Sequence, residues 1–215
     1  MKLALHNYWR SSASHRVRIA LGLKELTYDY VFVSLVKGEQ LGEGYRSLNS
    51  MAQLPTLEIT EDSGARVLIT QSLAILEYLE ERWPTPSILP RDLVLRAKTR
   101  ALAEIVNSGI QPLQNLSTTN AVNKLGGDSV AWVSPFIASG LLAFANAAAE
   151  TAGTFCVGDT PTIADCCLIP QLASARRFKV DITGLGQLLA IEERCLALPA
   201  FAAAMPDQQP DAVKA

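Results

Sequence analysis

Polar and apolar positions change their rhythm part-way along the chain. Up to about residue 83, short β-type runs alternate with helix-type runs. LALHNY (3–8) reads as a strand, SHRVRIALGLK (14–24) as a helix, and TYDYVFVSL (27–35) as a strand rich in aromatic and β-branched residues. A further helical stretch is expected before LNSMAQ; LPTLEI (54–59) and RVLI (66–69) then flank the turn EDSGA as a hairpin. SLAILEYLEERW (72–83) sets Leu73, Ile75, Leu76 and Leu79 at helical spacing, with Ser72 placed to cap it. The predicted order is βαβαββα.

Beyond the proline-rich connector WPTPSILPRD the pattern is almost wholly helical. Ala97, Ala101, Leu102, Ile105, Val106, Ile110 and Leu113 mark one long amphipathic helix, which Pro112 should bend near its end. Two more helices are expected over 130–150 and 162–178, the second opened by Thr162 and Asp165 in capping-box spacing, and a weaker one over 185–198. Residues 1–83 are therefore expected to form an α/β domain, 84–92 a linker and 93–215 an all-helical domain.

Composition narrows the choice of function. A chain of 215 residues that is 49% hydrophobic, with a formal charge of −2, has ample material for a core and no basic block to track a nucleic acid. No uncharged apolar run of about 18 residues and no secretion-signal pattern stand out, so a soluble cytoplasmic protein is expected. Its four cysteines, Cys156, Cys166, Cys167 and Cys195, form no CxxC pair, and there are only two histidines. Neither structural zinc nor a disulfide framework is expected. Cys166 and Cys167 fall in an apolar helix and read as buried small hydrophobes; Trp132 and Phe136 read as core or dimer packing.

Candidate chemistry gathers where the first strand meets the first helix, in YWRSSASHRVRIAL. A helix start favours anions, and the hydroxyl of Ser11 or Ser12 can donate to a thiolate. A free thiol titrates at about 8.5; lowering that by about two units takes roughly 2.7 kcal/mol, which a charge-assisted hydrogen bond and a helix terminus can supply. No cysteine lies nearby, so the thiol would come from a ligand. Taken alone, Ser11 reads more simply as a helix cap. Two further segments shift that balance. At Gln53-Leu54-Pro55 a cis X-Pro bond would turn the Leu54 N–H and C=O toward an extended peptide, and Gln71-Ser72 opens a second helix suited to a carboxylate.

RSSASHRVRIAL (10–21), LNSMAQLPTLEI (48–59), ITQSLAILEYLEERWPTPSILPRD (69–92), GIQPLQNLS (109–117), VGDTPTIADCCLIPQLASARRFKVDIT (157–183) and QQPD (208–211) together resemble the zeta class of cytosolic glutathione transferases, the maleylacetoacetate and maleylpyruvate isomerase family. The resemblance implies a thioredoxin-like first domain, an all-helical second domain, glutathione as cofactor, and a cytoplasmic homodimer that binds no membrane or nucleic acid. It implies a cis-trans isomerase turning a maleyl keto acid into its fumaryl form by thiolate addition, bond rotation and elimination.

Carried over by position, Ser11 resembles the thiol-activating serine, with Ser12, Ala13, Ser14, His15 and Arg16 completing its loop. Gln40, Gln53, Leu54, Gln71 and Ser72 resemble further glutathione contacts, as do Gln111, Asn115, Leu116 and Ser117 in the second domain. Arg10 and Arg177 resemble arginines that bind the substrate's carboxylates. The usual SSCxWR is SSASHR here, with Ala13 and His15 in place of cysteine and tryptophan, a wording closer to maleylpyruvate isomerases. Ser50 replaces a usual proline, which should alter only a turn. Haloacid dehalogenation through the same thiolate, or ligand binding without turnover, are the competing functions.

Overall fold

The structure is a computed structural model that describes residues 1–213. It divides into two compact units, one formed by Met1–Ser87 together with the chain from Leu198 onward, the other by Ile88–Ala197.

The first unit carries a four-stranded mixed sheet in the order β2-β1-β3-β4. Its elements are β1 (Lys2–Asn7), α1 (Ser12–Leu23), β2 (Asp29–Phe32), α2 (Glu43–Arg46), β3 (Thr56–Thr60), β4 (Arg66–Thr70) and α3 (Ser72–Arg82). β1 and β2 run parallel, and β3 is antiparallel to both β1 and β4. This is the expected βαβαββα order, with α2 a single turn preceded by a 3-10 turn at Glu39–Leu41 and with β2 shorter than its apolar run suggested. Leu5, Ile19, Leu57, Ile59, Ile75 and Leu79 are sealed from solvent between the sheet and the helices. Lys24 closes the far end of the unit: its Nζ donates to Glu80 Oε2 at 2.5 Å and to the carbonyls of Trp83 and Pro86 at 2.6 Å.

The second unit contains α4 (Leu93–Glu104), α5 (Gln111–Gln114), α6 (Leu116–Lys124), α7 (Ser129–Ala148), α8 (Ile163–Arg177) and α9 (Gly186–Leu196). The single long helix expected over 97–113 is instead α4, one π-helical turn at Ile105–Ile110, and α5. Proline cannot donate into the preceding turn and its ring crowds the carbonyl four residues back. The turn therefore widens, the Gln111 N–H reaching Val106 O, and Pro112 falls in the first turn of a new helix rather than bending an old one.

Buried Val133, Ile137, Leu141, Phe144 and Ala148 form one stripe along α7. By length and composition this helix is apolar enough to cross a membrane, an uncharged run that the sequence reading passed over. Its core-facing stripe is what a helix packed within a folded unit requires. Trp132 is not core; it is exposed, its ring 5.3 Å from that of Phe136 and its indole N–H on Leu113 O at 3.2 Å.

α10 (Pro199–Ala204) and a 3-10 turn at Pro206–Gln208 follow. From Leu198 onward the chain groups with the first unit, whereas the sequence reading kept it with residues 93–215. α10 packs on α1 at Gly22, where an added Cβ would stand 3.1 Å from Ala200 Cα. Neither α6 nor α10 was foreseen: both are short, and α10 is mostly alanine.

Candidate active site

Three chain segments leave the sheet of the first unit at the same end. His6 is paired with Thr56, and Thr56 with Thr70, so the end of β1, the start of β3 and the end of β4 are neighbours. The segments that continue from these points are Tyr8–Ser11, Gln53–Pro55 and Gln71–Ser72. Register alone thus brings together the three segments that sequence reasoning singled out.

At the first of them, the Ser11 N–H closes a turn on Tyr8 O at 3.0 Å, and Ser11 becomes the N-cap of α1, with φ −70° and ψ 114°. Its hydroxyl oxygen accepts from the Ser14 N–H at 3.2 Å. Ser11, Ser12 and Ala13 are partly exposed, and the first turn of α1 carries no acidic residue to occupy its positive end. Ser14, His15 and Arg16 lie behind this start and are buried. Burial, helped by the charge of Arg18, holds the His15 imidazole well below its ordinary pKa, so it is neutral at pH 7. Arg16 donates from NH1 to Ser72 Oγ at 3.1 Å, tying the starts of α1 and α3 together.

Ser72 does not cap α3, as its position had suggested. It is the first helical residue and its hydroxyl is taken by Arg16; Gln71 holds the cap position and makes no side-chain cap bond. Gln71 is exposed and has φ +69°, a left-handed conformation that a residue with a Cβ adopts only under constraint. The first turn of α3 is also free of acidic residues. The Leu54–Pro55 peptide is cis, and Leu54 precedes the β3 ladder, which begins at Thr56. The Gln53 carbonyl is held by the Tyr45 hydroxyl and by Asn49 Nδ2, each at 2.7 Å. Gln40 is buried in the 3-10 turn, and its Oε1 has no protein partner among the described residues.

These features fit a peptide thiol with carboxylate ends. A helix start with a hydroxyl suits a thiolate, a backbone segment outside the ladder suits an extended peptide, and a second acid-free helix start suits a carboxylate. The chain's own thiols do not compete. All four cysteines are buried, and desolvation pushes those of Cys156, Cys166 and Cys195 well up, toward the inert protonated form. No cluster of three or more metal-ligating side chains occurs among the described residues.

In the second unit, Gln111 opens α5, and its Oε1 accepts from Gln114 Nε2 at 3.0 Å. Gln114 in turn exchanges amide bonds with Gln171 at 2.9 and 3.1 Å, a buried pair that sequence reasoning missed because its members lie 57 residues apart. Asn115 caps α6, its Oδ1 accepting from the Ser117 N–H at 3.2 Å, and Leu116 is exposed. At the end of α8 the two arginines diverge. Both are exposed; Arg176 forms a bidentate pair with Glu192 at 2.6 and 2.5 Å, and the Arg177 guanidinium lies 4.9 Å from the Phe178 ring centre. Arg10 is exposed likewise, 5.5 Å from the centre of the Trp9 ring.

The comparisons with known proteins agree with this geometry. Residues 10–82 match the family model described as Glutathione S-transferase, N-terminal domain. The maleylacetoacetate isomerase of Rattus norvegicus is 45% identical over 98% of this chain and 95% of its own length. A maleylpyruvate isomerase of Ralstonia sp is 44% identical over 97% of this chain and 99% of its own. The crystal structure of a maleylacetoacetate isomerase from Anaeromyxobacter dehalogenans 2CP-1, with glutathione bound in its active site, superposes with a TM-score of 0.91 at 49% identity, covering 99% of this chain and 98% of that one. The fold is that of a glutathione transferase, a thioredoxin-like unit and a helical one. Within that superfamily the chain belongs to the zeta class.

Proposed function

We propose that this protein is a glutathione-dependent cis-trans isomerase that converts a maleyl keto acid, maleylacetoacetate or maleylpyruvate, to its fumaryl form. The observation that carries the reading is the start of α1: a partly exposed Ser11 hydroxyl at an acid-free helix N-terminus, beside two other segments brought to the same end of the sheet. When bound, glutathione supplies a thiol that adds to the electron-poor double bond, lets it rotate, and leaves again.

Ser11 donates its hydroxyl proton toward the sulfur and, with the dipole of α1, favours the ionised form. The remaining glutathione contacts fall to Ser12, Ala13, Gln40, Gln53, the Leu54 backbone, Gln71 and Ser72. Ser14, His15 and Arg16 complete the loop from behind, and Gln111, Asn115, Leu116 and Ser117 are assigned further glutathione contacts by their position in the sequence. Arg10 and Arg177 bind the carboxylates of the substrate and offset the negative charge that develops on its carbonyl oxygen. His15, neutral and buried, orients the helix start rather than moving a proton. The same class membership supports a cytoplasmic homodimer.

Ultraviolet spectra of maleylpyruvate and of maleylacetone, followed with and without glutathione, test the reading. A glutathione-dependent conversion to the trans product is expected with at least one of them, and its absence with both contradicts isomerase activity. Release of halide from a haloacid, without isomerisation, would point to the dehalogenating alternative.

A further inference from the structure

Arg10 and Ser11 sit on a short turn whose backbone is gripped by side chains from distant parts of the first unit. The Trp9 N–H donates to Asp211 Oδ2 at 3.1 Å, a contact between residues 202 positions apart. The other oxygen of Asp211 accepts from the Tyr30 hydroxyl. At the other end of the same residue, Arg18 NH2 donates to Trp9 O at 3.1 Å, while NH1 reaches Asn7 Oδ1 at 3.2 Å. Arg18 is 2% exposed, and it also donates from Nε and NH2 to Ala204 O at 3.2 and 3.0 Å. The chain beyond α10 is folded back by Gln209, whose Nε2 donates to Ala203 O and Met205 O at 2.8 Å each. QQPD (208–211), which the catalytic assignment leaves without a task, is thus the segment that brings Asp211 to the turn.

We propose that Asp211 and Arg18 are positioning residues, which fix the Tyr8–Ser11 turn and thereby the place of the Ser11 hydroxyl and of Arg10. The reason lies in how the Ser11 hydroxyl is held. Its side chain makes one cap bond, at 3.2 Å, so the hydroxyl is only as well placed as the backbone beneath it. Arg10 follows Trp9 directly and its guanidinium lies over the Trp9 ring, so it depends on the same turn. Misplacing a reacting group by about 1 Å costs up to about 100-fold in rate, so side chains that pin this turn act on catalysis without touching the ligand. The four-residue connection from β1 to α1 has one backbone bond within itself, from the Ser11 N–H to Tyr8 O. A buried arginine and a carboxylate from the end of the chain supply further ones.

This inference rests on Ser11 favouring the thiolate, and the test separates the two. The full-length protein, Ser11→Ala, Asp211→Ala, Asp211→Asn and Tyr30→Phe are each titrated with glutathione bound, following thiolate absorbance, alongside kcat, glutathione affinity and Tm. Asp211→Ala should raise the bound thiol's pKa by about one unit and lower kcat about tenfold at temperatures well below its Tm, with glutathione affinity little changed. Asp211→Asn, which keeps one oxygen for the Trp9 N–H, should recover most of the loss. Tyr30→Phe should show the same shifts in smaller amount, and it carries the test if Asp211→Ala does not fold. A lowered Tm with unaltered thiol pKa and kcat in Asp211→Ala, or wholly unaltered values in Tyr30→Phe when only that variant folds, overturns the proposal. If Ser11→Ala itself leaves the thiol pKa unmoved, the failure belongs to the functional reading instead.

Discussion

α1 and α8 both begin with a polar cap, yet their N-termini are closed to different degrees. At α8, Asp165 Oδ2 accepts from the Thr162 N–H at 2.7 Å and from its hydroxyl at 2.8 Å, and Oδ1 takes the Cys156 N–H at 2.9 Å. Both residues are buried. At α1, Ser11 takes a single N–H at 3.2 Å and stays partly exposed, and just behind it Ser14 Oγ and His15 Nε2 have no protein partner among the described residues. The first terminus, that of α8, is closed by a buried carboxylate of its own chain and serves the fold. The second retains donor capacity and a positive field, which is what an anionic ligand needs. The residue type at a cap does not distinguish these roles; the completeness of its hydrogen bonding does.

Substituting each cap should separate the two roles cleanly. Ser11→Ala is expected to lower kcat roughly 30- to 100-fold, the equivalent of losing about two units of thiol acidification, while costing stability only about 1 kcal/mol as an N-cap loss. Asp165→Ala should do the reverse. It strands two buried N–H groups and removes the box, a cost of about 2–4 kcal/mol in denaturant melts, with the bound thiol's titration unchanged. Equal effects of both variants on stability and turnover would dissolve the distinction. A smaller effect sharpens it at the other end of α8, where Arg177→Ala should raise KM for the dicarboxylic substrate about tenfold, the equivalent of 1.4 kcal/mol. Arg176→Ala should leave KM unchanged and instead lower stability, because Glu192 is buried and loses its bidentate partner.

What the sequence made legible was local. The strand and helix order of the first unit, the Ser11 cap and the Thr162–Asp165 box are written in spacings of a few residues, where hydrogen-bonding rules act directly. What escaped was long-range or conditional. Ser72 has the residue type and position of a cap, but Arg16, buried one helix away, takes its hydroxyl. Arg16 and Arg18 flank Val17 just before the apolar run Ile19–Leu21, a signal that could have raised the question of which groups they serve, though no pattern names Ala204 or Trp9 as the answer. The contact between Asp211 and Trp9 depends on α10 folding back along α1, and periodicity carries no information about pairings across 202 residues.

The central claim is that the open start of α1 holds the thiol of glutathione in its ionised form. A pH titration of thiolate absorbance in the unaltered protein saturated with glutathione tests it most directly. The expected midpoint lies near 6.5, about two units below the value of about 8.5 for a free thiol. A midpoint at the free-thiol value, with glutathione demonstrably bound, would contradict it.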